Sequence, residues 1–335
     1  MVDGVQRNAG NLRLLLHGAA VGLLYGIAVG LLARFYHGNG SEVMLLGFLL
    51  FTPFAMGFIT VFIAEIKQAQ RVWVWLLLPW LPVVGGALAA MLTLLEGLIC
   101  VVMFLPLGLF VSTLGGAVGG VTARFLRSRR SRNLSVTCVI LLPLFVAPWE
   151  QQVFHGWELR RVENVVDIQA PPAVVWRNIE RVRPIRPEEL PSSWSHRIGF
   201  PDPVEATLSH EGVGGVRDAS FTRGVLFLET VDVWEPQRRL SFTIRAQTDR
   251  IPPTTLDEHV RVGGAYFDVL RGEYRLEPLA TGKIRLHLSS QHRVSTDFNW
   301  YAHLWTDAVM ADLQTRILTV IKRRCESEAI GVKSN

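Results

Sequence analysis

The chain has 335 residues, 49% of them hydrophobic, with 34 Lys and Arg against 29 Asp and Glu and a net charge of +5. Only 10 of the basic and 4 of the acidic residues precede Glu150, so the basic excess belongs to the apolar first half and the second half is close to neutral. Without a basic stripe interleaved with aromatics, that distribution argues against nucleic acid as a partner; Cys100, Cys138 and Cys325 are too scattered for a disulfide framework or a metal site.

Leu12 to Tyr36 is an apolar run behind Arg7 and Arg13, too long for the core of a cleaved signal, and reads as a retained first span. Val43 to Ala64 is the second, followed by a loop, EIKQAQR, with Lys67 and Arg71. Val72 to Val121 is about twice the ~20 residues one span needs, and it divides at Glu96 and Gly97 into a third and a fourth. A basic cluster, Arg124, Arg127, Arg129, Arg130 and Arg132, then leads into Leu134 to Trp149, a short fifth span that contains Pro143 and Pro148.

Basic residues beside a span stay on the cytoplasmic side because carrying them across is costly. The expectation is therefore an integral protein of a bacterial-type inner membrane, with five spans, the N-terminus in the cytoplasm and the C-terminal domain outside it. Loss of the fifth span would move that domain inward. Trp73, Trp75, Trp80 and Trp149 read as interfacial anchors. Gly85, Gly86, Gly115, Gly116, Gly119 and Gly120 read as sites of close helix approach. His17 and Glu96 are too few to suggest transport machinery, and Glu96 reads as a turn residue facing water.

The domain boundaries expected are 1–149 for the spans, 150–161 for a connector, 162–326 for a soluble fold and 327–335 for a flexible tail. In the soluble part, Val162 to Gln169 alternates like a strand, and AVVWRNIER after Pro171 and Pro172 reads as a short helix. Arg183 to Pro203, rich in Pro, is a loop or broken helix holding Trp194 and His196. Strand patterns then recur at Val204 to His210, Val216 to Thr222, Val225 to Trp234, Leu240 to Ala246, Tyr266 to Pro278 and Lys283 to Val294. The long connection Gln247 to Gly264 suits a lid or mouth. A helix from about Trp300 to Arg324 carries an apolar stripe of Met310, Leu313, Ile317, Val320 and Ile321.

VDIQAPPAVVWRNI, the EGVGGVRDASFTRGVLFLETVDVWEPQRRLSFTI segment and the long last helix together resemble the START-like, or SRPBCC, superfamily of polyketide cyclases and lipid-transport proteins. The resemblance covers roughly Arg161 to Arg324. It implies a helix-grip fold, a curved antiparallel sheet around a long C-terminal helix with an apolar cavity for a lipid or other hydrophobic molecule. It brings no shared catalytic set.

Strand parity puts Glu229 inward with Val225, Phe227, Val231 and Val233, where it reads as an acid, a base or a hydroxyl anchor, or as the partner of Arg223 or Arg217 in a plain ion pair. Tyr266 and Tyr274 share a face by the same count and are cavity or core aromatics. Trp194 and Trp305 complete the cavity candidates with Glu229, Arg223, Tyr266 and Tyr274. His287 is opposite in parity to Leu286 and Leu288 and should face solvent. His259, His292 and His303 read as surface or capping residues, since no metal-ligand spacing surrounds them. No cofactor is expected. The first function expected is a membrane-anchored protein that binds a hydrophobic ligand and takes part in lipid transport. The alternatives are a cyclase or aromatase that uses Glu229 and a tyrosine, and a sensor or assembly factor that contacts a membrane protein.

Overall fold

The computed structural model describes residues 2–37, 46–93, 97–127, 156–247, 262–280 and 282–333. The chain forms two compact units, Met1–His155 and Gly156–Asn335.

In the first unit, α1 (Val2–His37), α2 (Leu46–Lys67), the pair α3 (Val72–Leu77) and α4 (Trp80–Leu92), and α5 (Leu98–Arg127) supply four helical stretches long and apolar enough to cross a membrane. The expected fifth span and Glu96 lie outside the described residues. The packing of α2 on α5 depends on glycines. A Cβ at Gly115 would lie 2.0 Å from the Phe54 carbonyl oxygen, and one at Gly57 the same distance from that of Ser112. The expected role of Gly115, Gly116 and Gly119 in close approach is what the backbone shows.

Two expectations change here. Glu65 is no loop residue but part of the last turns of α2, fully buried, and it accepts hydrogen bonds from Gln70 N (2.7 Å), Trp75 Nε1 (3.0 Å) and Arg124 Nε (3.1 Å). Trp75 is therefore a buried member of this cluster and not an exposed anchor, with the Arg124 guanidinium 4.1 Å from its ring. Gln70 Nε2 reaches Asn11 Oδ1 at 3.1 Å, so the start of α1 and of α3 and the ends of α2 and α5 meet at one end of the unit.

The second unit is a seven-stranded antiparallel sheet in the order β1-β7-β6-β5-β4-β3-β2, with α8 (Asn299–Lys333) across it. Its strands are β1 (Glu158–Ile168), β2 (Pro203–Leu208), β3 (Val216–Phe221), β4 (Leu226–Glu235), β5 (Arg239–Ala246), β6 (Phe267–Pro278) and β7 (Ile284–Val294). Two further helices, α6 (Pro172–Glu180) and α7 (Trp194–Arg197), lie between β1 and β2. Pro172 opens α6, where its missing N–H costs nothing. This is the helix-grip architecture. The last helix continues through Lys333, so residues 327–333 are helical where a tail was expected.

The apolar core sits at the end of the grip formed by α6, the β4–β5 and β6–β7 hairpins and the second half of α8. Ile168, Val175, Ile179, Leu240, Leu286, Ile321 and Cys325 are packed there with almost no exposure. Arg324 ties the 183–190 segment to the same end through Glu189 (2.8 and 2.9 Å) and the carbonyls of Arg183 and Pro184 (2.8 Å each). The opposite end holds the start of β1, α7, the Thr222–Gly224 turn, the start of β6 and the first turns of α8. At that end Phe221, Phe227, Phe267, Tyr301 and Trp305 are half-buried, beside the buried Val225, Val269, Val294 and Phe298.

Candidate functional site

Glu229 on β4 faces inward and is buried, as its parity requires, and its partner is Arg217 on β3. The two residues are paired in the strand register and joined by a 2.6 Å hydrogen bond. Arg217, 2% exposed, also donates to the carbonyls of Ile179 (3.1 Å) and Glu180 (3.2 Å), the last turn of α6, and its guanidinium lies 4.7 Å from the Phe242 ring. The ion pair thus closes a helix C-terminus as well as a charge. Burial pushes the Glu229 carboxyl above its ordinary range, against the opposing pull of Arg217. Tyr274, 6.0 Å from the same guanidinium, is raised by burial to about 12. Of the two arginines considered for Glu229, Arg223 is elsewhere. It occupies an exposed turn at φ 61° and donates to the Gly199 carbonyl at 2.9 Å.

Bulges correct two parities. The register of β4 shifts between Val231 and Val233, so Trp234, opposite Leu240, replaces Val233 on the inner face and meets Trp176 edge-on at 5.2 Å. The register of β6 shifts between Val269 and Arg271, which places Phe267 and Val269 on the Tyr274 face and breaks the count that put Tyr266 there. Trp194 and Trp305 do come together, with ring centroids 6.3 Å apart, at the half-buried end.

The group that sequence reasoning missed is His292. It is fully buried on the inner face of β7, and its Nε2 faces Thr306 Oγ1 (3.1 Å) and Asp307 Oδ1 (3.3 Å) on α8. Asp307 is held in turn by Arg160 Nη2 at 2.6 Å. Burial lowers the His292 pKa against the opposing influence of Asp307, which favours the neutral ring. With Nε2–H donated toward α8, Nδ1 is an acceptor turned away from Asp307, and among the described residues it has no protein partner. Gln314, 2% exposed, donates through Nε2 to Ser290 Oγ (2.7 Å) and the Val162 carbonyl (3.0 Å), and its Oε1 also lacks a protein partner among those residues. The signal was present in the alternation of His292 with Leu286, Leu288 and Val294.

His287 stands on the outer face as expected, but clamped between Glu163 (2.7 Å) and Glu277 (2.9 Å) with its side chain 12% exposed. His259 lies outside the described residues. Among the described residues no group of three His, Cys, Asp or Glu is placed to hold a metal ion.

The class these features define is a helix-grip domain joined to a unit of apolar helices. No protein-family model matches the chain, and no curated protein matches it. Solved structures match the C-terminal half. The Zhui aromatase/cyclase from a Streptomyces species is 15% identical, over 50% of this chain and 94% of that one, with a TM-score of 0.31. The protein TTHA0849 from Thermus thermophilus is 15% identical over 51% and 99%, with a TM-score of 0.33. DynU16, from the dynemicin biosynthetic locus, is 20% identical over 47% and 45%, with a TM-score of 0.27, so this chain spans less than half of DynU16. These low scores carry no chemistry over, and the helix-grip assignment rests on the strand order and the helix across it.

Proposed function

We propose that the C-terminal unit binds a hydrophobic molecule with a hydrogen-bonding head, a membrane lipid or lipid-like compound, and that the apolar helices anchor it in the membrane that supplies the ligand. The observation that carries this is the pair of buried acceptors, His292 Nδ1 and Gln314 Oε1, at the β7–α8 contact. Half-buried aromatic and aliphatic side chains stand on the same inner face at that end of the grip. A ligand hydroxyl or amide N–H suits such acceptors, and apolar walls suit the remainder of the molecule. Tethering raises the local concentration of a membrane-borne ligand at the domain. Transport of the ligand is the further step of this reading.

The test is mass spectrometry of small molecules that co-purify with the unit Gly156–Asn335, and with its His292→Leu and Glu229→Leu versions. A stoichiometric lipid in the parent, lost from His292→Leu in a folded protein, is the expected result. A folded but empty parent would end this reading and favour the sensor or assembly role. A second reading, an enzyme of the cyclase or aromatase kind, draws on the His292–Asp307 pair, which has the geometry of a base with its orienting carboxylate. It replaces Glu229 as the base, because Arg217 already holds that carboxylate.

For the membrane part, the Glu65 cluster gathers the helix ends that carry Arg13, Lys67, Arg71, Arg124 and Arg127. By the cost of moving such charges across, that end is cytoplasmic. The fifth span expected from the sequence, Leu134 to Trp149, lies outside the described residues, and on that expectation the C-terminal unit belongs on the outer side.

A further inference from the structure

We propose that the end of the C-terminal unit at which the polypeptide enters it docks onto the headgroup layer of a lipid bilayer, through Trp157, Leu159, Trp194, Trp300 and Leu304. These are large apolar side chains left in the open: Trp157 is 64% exposed, Leu304 58% and Trp300 53%. They converge because Asn299 Nδ2 donates to the Gly156 carbonyl at 2.9 Å, pinning the start of β1 to the first turn of α8. From there the rings run in contact, Trp300 to Tyr301 at 5.7 Å, Tyr301 to Trp305 at 6.4 Å and Trp305 to Trp194 at 6.3 Å.

The occupant follows from the path of the chain. The apolar helices precede this unit in the chain, which enters it at Gly156, so we take this end as the one a tether to the membrane would hold nearest the bilayer. The expected fifth span ends at Trp149, and residues 150–155 reach at most about 20 Å. Tryptophan and tyrosine rings favour the headgroup layer, where one edge is apolar and the other wet. Exposed Arg197 beside Trp194 suits an anionic lipid. The turns at the opposite end, SHEGVGG, EPQR and LATGK, are mostly polar and small, with exposed Val213 and half-buried Leu279 as large apolar residues, and Ile330 of α8 is exposed by itself at that end. The docked edge also borders the half-buried end of the grip, which places the proposed ligand site next to its source. The docking rests on the anchoring proposed above and not on what the interior holds.

The full chain, with Cys100, Cys138 and Cys325 replaced by alanine, would be reconstituted in nanodiscs of phosphatidylcholine and phosphatidylglycerol. It would carry a nitroxide at Leu304→Cys, at Leu159→Cys or, on the opposite end, at Val213→Cys. Accessibility to oxygen, which partitions into the bilayer, would be compared with accessibility to a nickel chelate, which stays in water. The expected result is an oxygen-to-nickel ratio severalfold higher at positions 304 and 159 than at 213. Equal nickel accessibility at all three sites would overturn the docking. Shielding of position 304 from both reagents would overturn it too, since that marks a protein surface over this edge. Loss of bound lipid in His292→Leu leaves these ratios unchanged, so the two readings fail separately.

Discussion

At the scale of single residues, the Arg217–Glu229 pair shows how far strand alternation reaches. Parity alone turns Glu229 inward, but only the β3–β4 register chooses Arg217 over Arg223. Breaking a buried pair leaves an uncompensated charge, so Glu229→Leu should cost about 3–5 kcal/mol in chemical unfolding of the C-terminal unit. Adding Arg217→Met should recover much of that loss, and no recovery would mean that the bonds from Arg217 to α6 matter more than the pair. The Glu189–Arg324 contact sets a pH dependence. Arg324 holds the Glu189 carboxyl down from 4.5 to about 2, so the folded state binds this proton less readily than the unfolded chain. The stability it contributes is present above pH 4.5 and is lost as pH falls through that window toward 2. Unfolding free energies of the parent and of Glu189→Gln should converge across it. The sequence alone reads His292 as a surface or capping residue although its alternation with Leu286, Leu288 and Val294 turns it inward, and Asp307, which gives it a role, is fixed by how α8 crosses β7.

At the scale of elements, helices and strands were legible because their apolar periods are strong, and their irregularities were not. The bulges in β4 and β6 each insert a residue that resets the period-two count, which exchanges Val233 for Trp234 and separates Tyr266 from Tyr274. The α2–α5 contact is closer than side chains allow, and Gly115 is where this can be tested. Gly115→Val should destabilise the helical unit in detergent by about 1–3 kcal/mol or more, as overpacking does. Gly10→Ala, with nothing near its Cβ, should not destabilise the unit, and the better helix propensity of Ala acts in the opposite direction. Equal effects at the two sites would deny the tight crossing. Glu65, which composition assigns to a loop, is instead the acceptor that joins the ends of α2 and α5 to the start of α3, with α1 linked through Gln70 and Asn11.

At the scale of the whole molecule, the side of the membrane on which the C-terminal unit lies is open to a direct measurement. An impermeant maleimide applied to intact cells should label Val213→Cys in the cysteine-free chain, and labelling only after lysis would place the unit in the cytoplasm and remove the fifth crossing. The sequence by itself determined the division into an apolar basic half and a neutral half, four helices long and apolar enough to cross a membrane, the strand series and the long last helix. Each of these follows from local composition or from a period of two or 3.6 residues, which neighbouring positions express without help from the rest of the chain. Tertiary structure alone decided the Glu65 cluster, the partner of Glu229, the burial of His292 against Asp307 and the aromatic edge around Gly156. These contacts join residues from a few to well over a hundred positions apart on different elements, and their physical cause is packing of whole elements, which no local period encodes.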